Sequence, residues 1–157
     1  MRRSDRAVTE LSDILALLEK CQVLRLGLCT DNQPYIVPMH FAYERVGEDV
    51  FVYLHSAPAG RKIDMIAANS RVCFEADTLH QTLEAEVACE WSAIFESVIG
   101  EGDVVVLTDA AKKIHGLDLI MKRYGFAGGP QYHPQALAAV AVLRIAVTGI
   151  SGKRKGG

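Results

Sequence analysis

No stretch of this 157-residue chain approaches the ~18 to 20 consecutive apolar residues that a membrane span needs. The opening residues MRRSDRAVTE are basic but carry no apolar run behind them, so they do not read as a secretory signal, and a cytoplasmic protein is expected. No two of the four cysteines (Cys21, Cys29, Cys73, Cys89) form a C-x-x-C pair, which removes the commonest structural zinc pattern. They are expected to be small buried apolar residues. The histidines show no ligand spacing either, so no metal site is expected, and His80, His115 and His133 are expected to face solvent. Internal repeats are absent.

Basic charge is scarce in the body of the chain. Arg2, Arg3 and Arg6 stand at one end and Lys153, Arg154 and Lys155 at the other. Between residues 7 and 152 there are 11 basic and 18 acidic residues, a net of −7. Such a body is a poor nucleic-acid partner, because phosphate neutralisation needs a basic surface. Residues 1–8 are expected as a flexible basic segment, 9–150 as one folded domain, and 151–157 as a disordered basic tail.

What is present is a half-apolar, 23% charged composition suited to a globular core. Leu11, Ile14, Leu15 and Leu18 recur at helical spacing and predict a helix over 9–21, with Thr9 as N-cap. Residues 22–30, 35–44 and 50–55 predict three strands joined by the turns Thr30–Pro34 and Gly47–Asp49. In the second, Tyr35, Val37, Met39, Phe41 and Tyr43 share one face, and Ile36, Pro38, His40 and Ala42 the other. A short helix over 61–68 follows, then strands at 71–77, 91–100 and 103–107. The acidic run 78–90 reads as a loop or long hairpin. A second long helix fits 109–124, with Ile114, Leu117, Met121 and Tyr124 as its stripe and Gly125 as its C-cap. A glycine-proline loop near 125–134 and a last strand over 138–149 complete the chain. Six or seven antiparallel strands with two main helices and one short helix fit a mainly β, closed or nearly closed barrel.

One segment carries chemistry on physical grounds. His55-Ser56 ends a strand, Gly60 opens a helix, and Arg61 and Lys62 occupy its first turn. Cations there oppose the helix dipole, unless an anion sits between them and the free N–H groups. The other reading is that both side chains point into water or pair with acids such as Asp64.

Three blocks decide further. Tyr35-Ile36-Val37-Pro38-Met39-His40-Phe41, then Leu54-His55-Ser56-Ala57 with Gly60-Arg61-Lys62-Ile63-Asp64-Met65-Ile66, then Phe95-Glu96-Ser97-Val98-Ile99-Gly100-Glu101-Gly102 resemble the FMN-binding split-barrel proteins of the pyridoxamine 5′-phosphate oxidase type. The 5-nitroimidazole-resistance flavoproteins are the branch it resembles most, and the likeness runs from about residue 9 to 125. The resemblance implies a Greek-key-like split barrel, a homodimer and a bound FMN in a cleft between subunits. It places Val37, Pro38, Met39 and His40 along the flavin ring. His55 and Ser56 would lie by the ring or ribityl chain, Arg61 and Lys62 on the phosphate, and Glu96 and Ser97 at the same cofactor. His40 and His55 become candidate proton donors. Trp91 and Phe95 are expected in core or dimer packing. The Trp/Arg block that binds substrate in true pyridoxamine phosphate oxidases has no counterpart here, so vitamin B6 oxidation is not expected. The implied activity is small-molecule oxidoreduction, with nitroaromatic or nitroimidazole reduction as one candidate. The alternative is a cofactor-binding module without turnover, holding flavin, deazaflavin or haem, the last with His40 or His55 as axial ligand. A member that has lost its cofactor and serves as a structural dimer is the third reading.

Overall fold

In the computed structural model, which describes residues 4–129 and 131–156, the first hairpin shows how sequence becomes register. β2 (Leu24–Thr30) and β3 (Gln33–Met39) are joined by Asp31 and Asn32, both with positive φ, 51° and 59°. Asp and Asn tolerate that conformation, and the resulting turn matches the twist of the two strands. The pairing Thr30↔Gln33 through Leu24↔Met39 follows directly.

The other strands are β1 (Ala7–Val8), β4 (Phe41–Val46), β5 (Asp49–Ser56), β6 (Arg71–Leu83), β7 (Ser92–Leu107) and β8 (Ala141–Lys155). The sheet order is β3-β2-β6-β7-β8-β5-β4, with β1 added beside β8, and every pairing is antiparallel. β3 and β4 are therefore the two ends of the order, yet they are consecutive in the chain. One residue, His40, carries the backbone from one edge to the other. This is a split barrel, mainly β as expected, with the two-residue β1 as an eighth strand.

Period-two alternation sorts the side chains into two cores. Val50, Val52 and Leu54 of β5 point inward with Leu143 and Ile145 of β8, and there meet Phe41, Phe74 and Val98. The helix α1 (Leu11–Lys20) adds Ile14, Leu15, Leu17 and Leu18, and α2 (Arg61–Ala68) adds Met65 and Ile66. Tyr35, Val37 and Tyr43 pack on this core, as their shared face predicts. On the outer face, Tyr53 and Val142 pack under α3 (Ala110–Arg123) through Leu117 and Ile120. Gly116 permits that approach: a Cβ there would lie 2.7 Å from Tyr53 Cδ1 and 2.9 Å from Val142 Cγ1.

Several expectations are corrected. Glu10, not Thr9, caps α1, without a side-chain hydrogen bond. The strand over 35–44 is two strands broken at His40. The acidic run 78–90 takes the long-hairpin form of its two readings: the backbone of Thr78–Leu83 extends β6 and pairs with β7 while its side chains stay wet. The sequence stripe of α3 is displaced: Ile120 is buried and Met121 is 37% exposed. A short helix, α4 (Pro134–Ala138), precedes β8. Of the cysteines only Cys21 is buried. Trp91 is outside the core of the single chain, its indole N–H donating to the Ala85 carbonyl at 2.7 Å, which removes the core half of its expectation and does not touch the dimer half.

The basic C-terminal segment is not a disordered tail. Residues 151–155 are the end of β8, paired with β7 from Ile99↔Ser151 to Phe95↔Lys155. Gly152 lies beneath α1, where an added Cβ would come within 3.1 Å of Ile14 and Val8 and 3.2 Å of Leu17, so those neighbours would have to give way. At the other end Ser4–Arg6 form a 3-10 turn, and Ala7–Val8 pair with Gly152 and Lys153. The flexible N-terminal expectation at residues 1–3, with Arg2 and Arg3, and the loop residue Pro130 lie outside the described residues, as does Gly157. Among the described residues no helix is long and apolar enough to cross a membrane.

Candidate functional site

The cleft forms where the barrel splits. β3 is hydrogen-bonded only to β2, so its other edge offers backbone groups with no ladder partner. A cleft of about 380 Å³ opens there, lined by Val37, Pro38, Met39 and His40 from β3 and the break, Val23 ahead of β2, His55 of β5 and Lys62 of α2. Three sequence blocks separated by up to twenty-odd residues are thus brought to one wall by the β4–β5 hairpin, whose pairs run from Val46↔Asp49 to Phe41↔Leu54.

Gly60 adopts φ 117°, a conformation that side-chain-bearing residues rarely enter, and this turns the chain from β5 into α2. α2 has no side-chain cap. Its first turn therefore keeps N–H groups without an intrahelical acceptor, facing the same direction as the positive end of the dipole. Lys62 lines the cleft, and the Arg61 guanidinium lies over the Tyr35 ring, 4.3 Å from its centroid. Neither side chain is paired with Asp64, which leaves two cations and an uncapped helix start at one place. The hydroxyl of Ser56, next to His55, donates to the Ala57 carbonyl at 2.7 Å.

Partial burial comes first, and then the neighbouring His40 and Lys62, in holding the His55 imidazole below its usual pKa. His55 is therefore neutral at pH 7 and can donate one hydrogen bond and accept another. His40 is exposed at the break and stacks on Tyr124, ring centroids 4.4 Å apart. Tyr124 ends α3, and its hydroxyl accepts from the Phe41 amide (3.1 Å) and donates to the Gln22 carbonyl (2.8 Å). The sequence marked Tyr124 only as a helix-stripe residue, and Tyr35 only as an inward strand residue. The aromatic partners of His40 and Arg61 were not foreseen, since nothing local in sequence joins 40 to 124.

Glu96 and Ser97 are not brought to this cleft within one chain. Glu96 is 5% exposed and faces inward. Its carboxylate accepts from Lys20 Nζ (2.9 Å), Arg154 Nε (2.8 Å) and His80 Nε2 (3.0 Å). Burial would raise the Glu96 pKa, but these three donors outweigh it and hold the group below the ordinary carboxylate value. His80 and His115 are exposed, as expected, and each also meets an acid, the latter Glu44 at 2.9 Å. Ser97 alternates to the outer face of the sheet, opposite Asp77 and Lys153 and beside the exposed Ile99. No group of three or more metal-ligating side chains occurs among the described residues.

The family model described as pyridoxamine 5′-phosphate oxidase matches residues 10–154. Among solved structures, the chain is similar to a candidate 5-nitroimidazole antibiotic resistance protein from Bacteroides thetaiotaomicron. Identity is 30% and the TM-score 0.82, covering 94% of this chain and 85% of the other. The flavocytochrome Anf3 from Azotobacter vinelandii shares the fold at 22% identity and a TM-score of 0.85, covering 100% and 72%. So does an FAD and haem binding protein from Mycobacterium smegmatis, at 22% identity and 0.83, covering 97% and 74%. No curated protein sequence matches the chain.

Proposed function

The chain belongs to the pyridoxamine 5′-phosphate oxidase family, and from that premise we propose that it is a cytoplasmic FMN-binding oxidoreductase, working as a homodimer on a nitroaromatic or similar small acceptor. The observation that carries the reading is the convergence of Arg61, Lys62 and the uncapped start of α2 on a cleft edged by the unpaired side of β3. That donor set suits a phosphate monoester next to a flat heteroaromatic body. The three relatives support it: one is described through nitroimidazole resistance and two through flavin or haem binding.

A flavin bound there supplies the hydride and electron transfer. The chain's own residues supply the rest. Lys62 and Arg61 hold the phosphate, with Arg61 seated on Tyr35. Val37 to His40 orient the ring through backbone groups, and Met39 and Val23 exclude water from one side. His40 and His55 stand at the cleft as the candidate groups for proton transfer; His55, held neutral, would have to take up a proton before it could deliver one. Ser97 faces away from its own cleft, so it would serve a flavin only across the dimer, from the partner's side. The exposed Ile36 and Ile99 on that same uncovered sheet face support a second copy there.

The experiment is a visible spectrum of the purified protein and a titration with FMN, for the parent and for Arg61→Ala/Lys62→Ala. A flavin spectrum, lost in the double variant while circular dichroism is unchanged, is the expected result. Full flavin occupancy in the double variant overturns the phosphate assignment. Mass spectrometry of the released cofactor separates FMN from FAD or a deazaflavin. Sedimentation tests the dimer. Anaerobic reduction followed by mixing with a 5-nitroimidazole tests turnover: a flavin that stays reduced favours a binding module without that activity.

A further inference from the structure

A second pocket, of about 290 Å³, lies under the N-terminal end of α3 and shares no residue with the cleft. It is lined by Tyr53 of β5, Arg144 of β8, Leu107 at the end of β7, and Ala111, Lys112 and His115 of α3. Strand alternation sends Leu143 and Ile145 into the barrel, and leaves Arg144 on the outer face, opposite Tyr53.

Arg144 lies over the Phe51 ring, 5.0 Å from its centroid. Its Nε is buried, yet it donates to no acceptor. That Nε is shielded from the pocket as well as from water, and the guanidinium already interacts with Tyr53 and Glu44, so only its terminal N–H groups can meet a ligand in the pocket. The adjoining carboxylates are engaged. Glu44 accepts from the Tyr53 hydroxyl and from His115 Nε2 at 2.9 Å, and Asp109 accepts from the Lys112 amide at 2.9 Å. The lining itself contains two full cations, Arg144 and Lys112, while the Glu44 carboxylate behind Tyr53 and His115 offsets part of the Arg144 charge. Ala111 and Lys112 stand in the first turn of α3, where the dipole adds to the positive potential. The rest of the wall is apolar: Leu107, Ala111 and the face of Tyr53.

We infer that this pocket binds a small monocarboxylate with a compact apolar body, its oxygens on Arg144 and Lys112 and its body against Leu107 and Tyr53. The cations select the charge. The apolar wall selects a hydrocarbon or aromatic acid over inorganic anions, which would leave that wall wet. The site is independent of whether the cleft at the other end of α3 holds a flavin.

The test is an amide NMR titration of the full chain with sodium benzoate. Benzamide, with the same body and no charge, and inorganic phosphate, with charge and no body, serve as comparison probes. Benzoate is expected to give saturable shifts at residues 107, 111–115 and 142–144, with little from the other two probes. Arg144→Gln should weaken benzoate binding about tenfold, as expected for loss of a charge-assisted bond. Lys112→Gln, at an exposed helix position, should weaken it about threefold without threatening the fold. Absence of saturation into the millimolar range overturns the inference. So does an equal response to benzamide or phosphate, shifts confined to the Arg61 and Lys62 region, or indifference of a folded Lys112→Gln.

Discussion

The ring of Tyr124 lies against that of His40, and its hydroxyl ties the start of the edge strand β4 to the segment ahead of β2, the neighbour of the other edge strand. It accepts from Phe41, the first residue of β4, and donates to Gln22, just ahead of β2. One side chain from the end of α3 thus brackets the residue at which the backbone changes edges. Tyr124→Phe keeps the ring and removes both hydrogen bonds. It should cost about 1 kcal/mol in urea unfolding, and a little more where the Phe41 amide is left dry. Tyr124→Ala should in addition shift the His40 ring resonances in a histidine NMR spectrum, which the Phe variant should largely preserve.

Glu96 should report on acid stability. Its folded pKa is depressed, so its contribution is present above the unfolded value near 4.5 and is lost as pH falls through the folded value. Glu96→Gln should be destabilised at neutral pH. The cost is about 1 to 3 kcal/mol, below that of a fully buried pair because Lys20, His80 and Arg154 are all 40% exposed or more. The gap between parent and variant in urea midpoints should stay constant above about pH 5 and narrow below it. A gap that widens towards acid would contradict the assignment.

Truncation after Ile150 should lower the melting temperature sharply. It removes five β7–β8 register pairs, the Arg154–Glu96 contact and the floor of α1 at Gly152. Deletion of the last two residues alone should change it little.

Gly116→Val should push α3 off Tyr53 and Val142, and cost about 1 to 3 kcal/mol by overpacking. Thermal unfolding measures it.

His55 should titrate below the usual 6.5 in an NMR pH series. Lys62→Met should move that midpoint upward, since it deletes one of the charges opposing protonation, while burial keeps it short of the ordinary value.

The part of the molecule written most clearly in its sequence is 35–66. Alternation placed Tyr35, Val37, Met39, Phe41 and Tyr43 on one shared face, which the structure turns towards the core, and the Gly60-Arg61-Lys62 run marked the helix start that the structure shows without a cap. The break at His40 was not legible, because alternation continues through it and only the sheet order reveals that β3 and β4 are opposite edges. Composition misled at 151–155. Ser-Gly-Lys-Arg-Lys reads as solvated, yet Gly152 turns inward under α1 and Arg154 finds a buried carboxylate, a partner 58 residues away. The acidic run past Thr78 left loop and long hairpin open, and the structure shows the hairpin; an antiparallel strand with a wet face needs few apolar residues, so its pattern could not decide between them. For α4 there was a signal: Pro134 at its first turn, followed by Gln-Ala-Leu-Ala. Glu96 matched a polar position of the family pattern, but the three cations that claim it come from α1, β6 and β8, and no local spacing announces them.

The sheet order also sets a timetable. β5 carries His55 and leads into α2, but its second neighbour is β8, with Phe51 opposite Ala146 and His55 opposite Val142. On a ribosome that delivers residues in order, β2 to β5 and α2 emerge early, and the barrel cannot close until the final strand has arrived. The cleft wall at His55 would then be one of the last parts to become rigid. The newborn chain thus passes through an interval in which β5 is paired with β4 on one edge while its other edge awaits the late strand β8.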